Sequence, residues 1–322
     1  GDMVNEKQKG LAYSIQSFLC NAGSLVGFLF PFIFTWIGIS NIAPQGVVPD
    51  SVIYSFYIGA AILILCVIYT TVKVKEMPPA EYAEYHGITE EEKKKKINMV
   101  KLLVKAPKAF WTVGLVQFFC WFAFMFMWTY TNGSVAANVF DAPTVETVVN
   151  GANKVVLDTK SIQYQNAADW VGVLFAVQAI GSVLWAVCIP MFKNRKLIYS
   201  LSLVLGGIGF ISTYFVHNQY VLFISFLLIG CAWAAMLALP FTILTNALSG
   251  GHMGTYLGLF NGTICIPQIV AATLGGSILA LFTPKGMLPP EINMLVMAGV
   301  MLIIGAVCVY LIKETKGEQA KA

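Results

Sequence analysis

The sequence has little charge. Of its 322 residues only 11% are Asp, Glu, Lys or Arg, whereas 57% are hydrophobic, and the mean hydropathy is +0.73. A soluble domain carries about 25% charge. A chain this apolar cannot hide its surface inside a water-soluble globule, so a polytopic membrane protein is expected. Paired cysteines are missing as well. The seven cysteines, at 20, 66, 120, 188, 231, 265 and 308, lie in apolar runs with no CxxC among them. That excludes a disulfide framework and a thiolate metal site, and it leaves small apolar fillers. Ionisable groups are nearly absent from the apolar runs: Asp169 stands at an edge, and His217 and His252 fall in loops. Catalysis or a proton relay inside a membrane draws on such groups. An enzyme is therefore not expected, nor is a metal, a cofactor or a nucleic-acid partner. The chain also lacks an initiator Met and a signal peptide, and its start at Gly1 reads as cut from a longer sequence.

What is present is length in the apolar runs. A membrane-crossing helix needs about 20 mostly apolar residues. Eight stretches qualify: Leu11–Ile37, Ile53–Val72, Phe110–Thr131, Asp169–Phe192, Leu197–Val216, Tyr220–Thr245, Thr255–Phe282 and Ile292–Ile312. Backbone groups in hydrocarbon must be satisfied within the segment, which makes these helices. Seventeen of the 20 Lys and Arg fall on one side of this eight-helix arrangement; only Lys154, Lys160 and Lys285 fall on the other. By the positive-inside rule both termini are cytoplasmic. The expected fold is an all-α polytopic membrane protein in three parts: residues 1–76 with two helices, a charged cytoplasmic loop over 77–109, and a six-helix bundle over 110–322. Within the loop, Thr89 is positioned to cap a helix whose basic and apolar residues suit either a membrane surface or a solvated linker. The outer segment 132–168 is long, and no motif in it specifies a role.

The apolar runs carry neutral hydrogen-bonding groups and aromatics at helical spacing. Tyr13, Ser17, Asn21 and Ser24 form one stripe; Gln117, Trp121, Phe124 and Trp128 form another; Gln178 and Trp185 share a face, and Trp233 precedes Pro240 and Asn246. In the seventh run Gly254, Gly258 and Gly262 repeat every four residues, a ridge that lets another helix approach. Asn261 and Gln268 lie on a separate face, and Pro267 removes a backbone hydrogen bond beside Gln268 and bends the helix. Two readings stand side by side. The amides are glue between helices, at about 1 kcal/mol or less each. Alternatively they line a cavity whose amides match hydroxyls as donor and acceptor while indoles cover apolar sugar faces.

"GTYLGLFNGTICIPQIVAATLGG" (254–276) resembles the eleventh helix of the sucrose-transporter branch of the glycoside–cation symporters, within the major facilitator superfamily. The shared pattern is Gly254, Gly258, Asn261, Ile266, Pro267 and Gln268. "WAAMLALPFTIL" (233–244) resembles the tenth helix of that branch, "FFCWFAFMFMWTYTNG" (118–133) the seventh, and "KQKGLAYSIQSFLCNAGSLVG" (7–27) the entry to the fifth. The resemblance implies that the eight runs are helices five to twelve of a twelve-helix carrier, the C-terminal part of a major facilitator fold. It also implies a sugar, a disaccharide or small glycoside, moved by alternating access with a co-transported proton. The carrier would be a monomer in the lipid bilayer of a plasma membrane, of bacterial inner-membrane type. Asn261, Gln268, Gln117, Gln178 and Asn21 would contact the sugar by hydrogen bonds, with Trp121, Trp128, Trp185 and Trp233 stacking or gating. Two departures stand out. Thr131-Asn132-Gly133 replaces the Thr-Asp-Trp of the branch, and the branch's coupling carboxylate belongs to the first four helices. A carrier of another neutral solute, or a membrane sugar sensor without transport, fits the same residues.

Overall fold

In a computed structural model of the chain, the residues described are 9–39, 48, 50–75, 78, 81, 99–149, 152–247 and 253–312. Thr89 and the side chains of Tyr13, Ser17 and Asn246 lie outside them. The helices are α1 (Lys9–Trp36), α2 (Asp50–Lys73), α3 (Met99–Val104), α4 (Lys108–Asn138), α5 (Ile162–Cys188), α6 (Arg195–Ser212), α7 (Leu222–Ala247), α8 (Met253–Phe260), α9 (Gly262–Phe282) and α10 (Ile292–Cys308). Between α4 and α5, strands β1 (Thr144–Val149) and β2 (Ala152–Leu157) pair antiparallel, from Thr144 opposite Leu157 to Val149 opposite Ala152. Seven helical segments among the described residues are long and apolar enough to cross a membrane. That is one fewer than the eight runs of the sequence. The difference is α1, whose described apolar stretch is Phe18–Phe30.

Lipid tails are as apolar as leucine, so no hydrophobic force draws these helices together; close packing does. The bundle closes on glycines. A Cβ on Gly207 of α6 would stand 2.9 Å from the Gly299 carbonyl of α10, and one on Gly299 would stand 2.7 Å from the Gly207 carbonyl. On the other side of α7, a Cβ on Gly181 of α5 would lie 2.6 Å from the Leu227 carbonyl, and one on Gly230 would meet Ser182 N at 2.7 Å. Backbone against backbone at both crossings leaves no room for a side chain. Helix α4 is central: it packs against α5, α7, α9 and α10, and its Phe110, Phe124 and Phe126 are almost completely buried. Helix α1 rests on α5 and α7, and α2 touches α1; apart from the buried Ser51, its described residues are mostly exposed.

Two expectations change at the seventh run. The ridge of Gly254, Gly258 and Gly262 faces no other helix among the described residues. A Cβ on Gly254 or Gly258 would have nothing within 4 Å, and one on Gly262 would meet only Ile266 of its own helix, at 3.9 Å. The packing glycine here is Gly275, where a Cβ would stand 2.5 Å from the Tyr130 hydroxyl of α4. The run is also divided. Regular helix is interrupted at Asn261, between α8 and α9, whereas Pro267 lies inside α9, buried.

Residues 132–168, whose sequence offered no motif for a role, contain a helix end, a strand pair and a helix start. Helix α4 continues seven residues past Thr131, and at 31 residues is about 46 Å long, more than a hydrocarbon core of about 30 Å. Helix α5 begins seven residues before Asp169, with the Ser161 side chain capping it by accepting from Tyr164 N.

Candidate functional site

Three indoles meet where α4 crosses α7. Trp121 and Trp128 come from α4, seven residues and two turns apart, and Trp233 from α7. The ring centroids are 5.7 Å apart for Trp121–Trp233, 5.7 Å for Trp128–Trp233 and 6.4 Å for Trp121–Trp128. Phe124 closes the group at 4.8 Å from Trp233. Trp121 is 9% exposed and Trp128 41% exposed, so the box has a sealed end and an open one.

The sealed end carries unused polar atoms. Gln117, one turn before Trp121, is fully buried, and its amide nitrogen donates to the Met236 carbonyl of α7 at a long 3.4 Å. Among the described residues its Oε1 has no partner, and neither has the indole Nε1 of Trp121. A buried polar atom without a hydrogen bond costs about 1–3 kcal/mol. One acceptor and one donor, both neutral, thus stand orphaned beside flat apolar ring faces. That combination complements a neutral hydroxylated molecule, which needs both hydrogen-bonding senses and offers an apolar face. It supplies no charge to hold an ion.

The remaining sequence-predicted residues are spread over the bundle. Gln268 is partly buried on α9, two turns before Gly275 and on the same face, so it looks toward α4. Thr263 would contact a Cβ on Gly114 at 2.9 Å, and Gly275 packs on Tyr130. Between these anchor points Gln268 falls roughly level with Trp121. Asn261 is exposed at the interruption between α8 and α9. Gln178 is buried on α5, where its backbone carbonyl packs against Gly230 of α7.

Trp185 and Asn21 are engaged elsewhere. The indole of Trp185 donates to Ser202 of α6 at 2.8 Å, and the amide oxygen of Asn21 accepts from Ser182 of α5 at 2.9 Å. Both bonds join one helix to another, the work of glue. The fold therefore gathers Gln117, Trp121, Trp128 and Trp233, sets Gln268 on the face of α9 that meets α4, and leaves Trp185, Asn21 and Asn261 outside the box.

Sequence reading missed one polar residue. Glu291 stands one residue before α10, partly buried. Its signal in sequence, a carboxylate opening an apolar run after Pro289 and Pro290, is the ordinary mark of a helix start and passes for a cap.

A family model described as Major Facilitator Superfamily matches residues 144–322, more than half of the chain. No curated protein matches the sequence.

Proposed function

This chain belongs to the Major Facilitator Superfamily, and on that footing we propose that it serves a carrier that moves a neutral sugar, a disaccharide or glycoside, by alternating access. With its apolar helices, it is an integral membrane protein of the major facilitator transporter type. The sugar reading rests on one observation: the indole box of Trp121, Trp128 and Trp233 with the orphaned Gln117 Oε1 and Trp121 Nε1 at its sealed end. A sugar satisfies both atoms and covers the rings, which neither water nor an ion does together. Gln268 adds an amide from a second helix, and Gln178 one from a third. In this reading the carrier is a monomer in a plasma membrane, has cytoplasmic termini, and takes a proton along with the sugar.

The test is counterflow of labelled mono- and disaccharides into liposomes holding the reconstituted protein, beside a titration of tryptophan fluorescence. Saturable exchange together with quenching that is lost in Trp233→Phe is the expected result. Uptake and quenching both absent for every sugar would sink the sugar reading in favour of another neutral solute. Quenching without flux would point instead to a sensor.

A further inference from the structure

At the outer end of α4, Gly133 leaves a notch, and the side chain of Glu291 fills it. A Cβ on Gly133 would run into the carboxyl group of Glu291, both oxygens and the carbon between them. The carboxyl thus sits directly on the α4 backbone, at the start of another helix. One turn below, Tyr130 lies within reach of its charge, and the Tyr130 hydroxyl packs on Gly275 of α9. Three helices, α4, α9 and α10, converge here.

The position invites a mundane explanation, which the geometry removes. Glu291 occupies the N-cap site of α10, where a carboxylate commonly binds the free N–H groups of the first turn. Its side chain makes no such bond. Only its main chain takes part in the turn, with N–H donating to the Pro289 carbonyl at 2.9 Å and its carbonyl accepting from Met294 N at 2.9 Å. Among the described residues no Lys, Arg or His pairs with the carboxyl, and its charge reaches the Tyr130 side chain. The carboxyl is packed against the α4 backbone at this helix junction with no cap bond and, among the described residues, no counter-ion.

We propose that Glu291 is a proton-binding latch: neutral, its carboxyl seats in the Gly133 notch and holds the connection between α9 and α10 against α4; ionised, it leaves the notch and that connection loosens. The energetics agree in sign. Burial raises the Glu291 carboxyl from 4.5 to about 7, because an ion loses its hydration in the notch whereas the neutral acid loses less. Folded pKa above unfolded pKa means the seated state is unpenalised below about 4.5 and loses stability as pH rises through about 7. A rise from 4.5 to about 7 means that ionisation disfavours the seat by roughly three hundredfold. The latch stands on this junction alone and does not depend on sugar being the cargo.

The test is pH-difference infrared spectroscopy of the protein in lipid. Wild type should show a protonated carboxyl band that disappears as pH is raised through about 7, and Glu291→Gln should lack that band. Gly133→Ala, which evicts the carboxyl, should return the midpoint to the ordinary carboxylate range. Hydrogen exchange over residues 287–293, corrected for its intrinsic pH dependence, should speed up above the midpoint in wild type but not in Glu291→Gln. The proposal is overturned by a band that survives in Glu291→Gln, or by a midpoint that Gly133→Ala leaves unmoved. Should Glu291→Gln fail to fold, the Gly133→Ala midpoint decides alone.

Discussion

Replacing Gln117 by Met separates a ligand-binding amide from a structural one, because the two roles predict opposite signs. Met has nearly the length of Gln, is unbranched, and fills the same space without polar atoms. The substitution removes one weak bond, the 3.4 Å contact from Gln117 Nε2 to the Met236 carbonyl, at about 1 kcal/mol or less between membrane helices. It also removes a fully buried acceptor with no partner, which now costs about 1–3 kcal/mol. The balance favours the variant by about 0–2 kcal/mol in the empty protein. Binding moves the other way. A sugar hydroxyl that loses its acceptor inside the box forfeits about 1–3 kcal/mol, or a five- to 150-fold rise in Kd at roughly tenfold per 1.4 kcal/mol. Thermal melting in detergent and a tryptophan-fluorescence titration read the two quantities on one preparation. The expected pair is an unchanged or raised Tm with weakened binding. A clearly lowered Tm with unchanged Kd would show that Gln117 is glue, and would remove the central support of the proposed site.

Trp185→Phe should do the reverse. It loses the 2.8 Å bond to Ser202, lowers stability by about 0.5–1.5 kcal/mol, and leaves sugar affinity as it was; a selective loss of affinity would restore Trp185 to the site. Gly230→Ala should sharply cut the folded yield, since its Cβ would collide with the backbone of Ser182 and Gln178, an overpacking of about 1–3 kcal/mol or more. Gly258→Ala, with nothing within 4 Å, should leave folding of the chain unchanged, as gel-filtration recovery of both variants will show. Gln268→Ala should weaken sugar binding without loss of expression, whereas Asn261→Ala, at an exposed position outside the box, should leave affinity unchanged. Reduced yield with intact affinity in Gln268→Ala would assign that amide to packing.

Much of the architecture was readable along the chain because hydrocarbon imposes its rules locally. Each run must satisfy its own backbone as a helix, so length and hydropathy suffice to find it. Ends were less legible. Helix α4 outruns its apolar stretch by seven residues, through Asn132 and Ser134, because side chains there bond within the protein: Asn132 Nδ2 donates to the Tyr164 hydroxyl at 2.9 Å. The hairpin was legible and went unread, since Asn150-Gly151 between two Thr- and Val-rich runs is a strong hairpin signal.

Partnership between helices was not legible. Gly181, Gly207, Gly230 and Gly299 close the bundle, although Gly254, Gly258 and Gly262 have the more regular spacing. Spacing fixes which residues share a face of one helix, but not which face meets a neighbour. The polar candidates divide for the same reason. Gln117, Trp185 and Asn21 look alike in sequence, being neutral groups at helical spacing. Only the crossing of α4 with α7 leaves Gln117 Oε1 without a partner beside three indoles, while Ser202 and Ser182 reach Trp185 and Asn21. The membrane, the helices and the neutral chemistry of their interiors all follow from local composition. Which of those neutral groups stay unbonded between the helices, and that Glu291 rests on Gly133 rather than capping its own helix, follows from contacts between residues far apart in the chain.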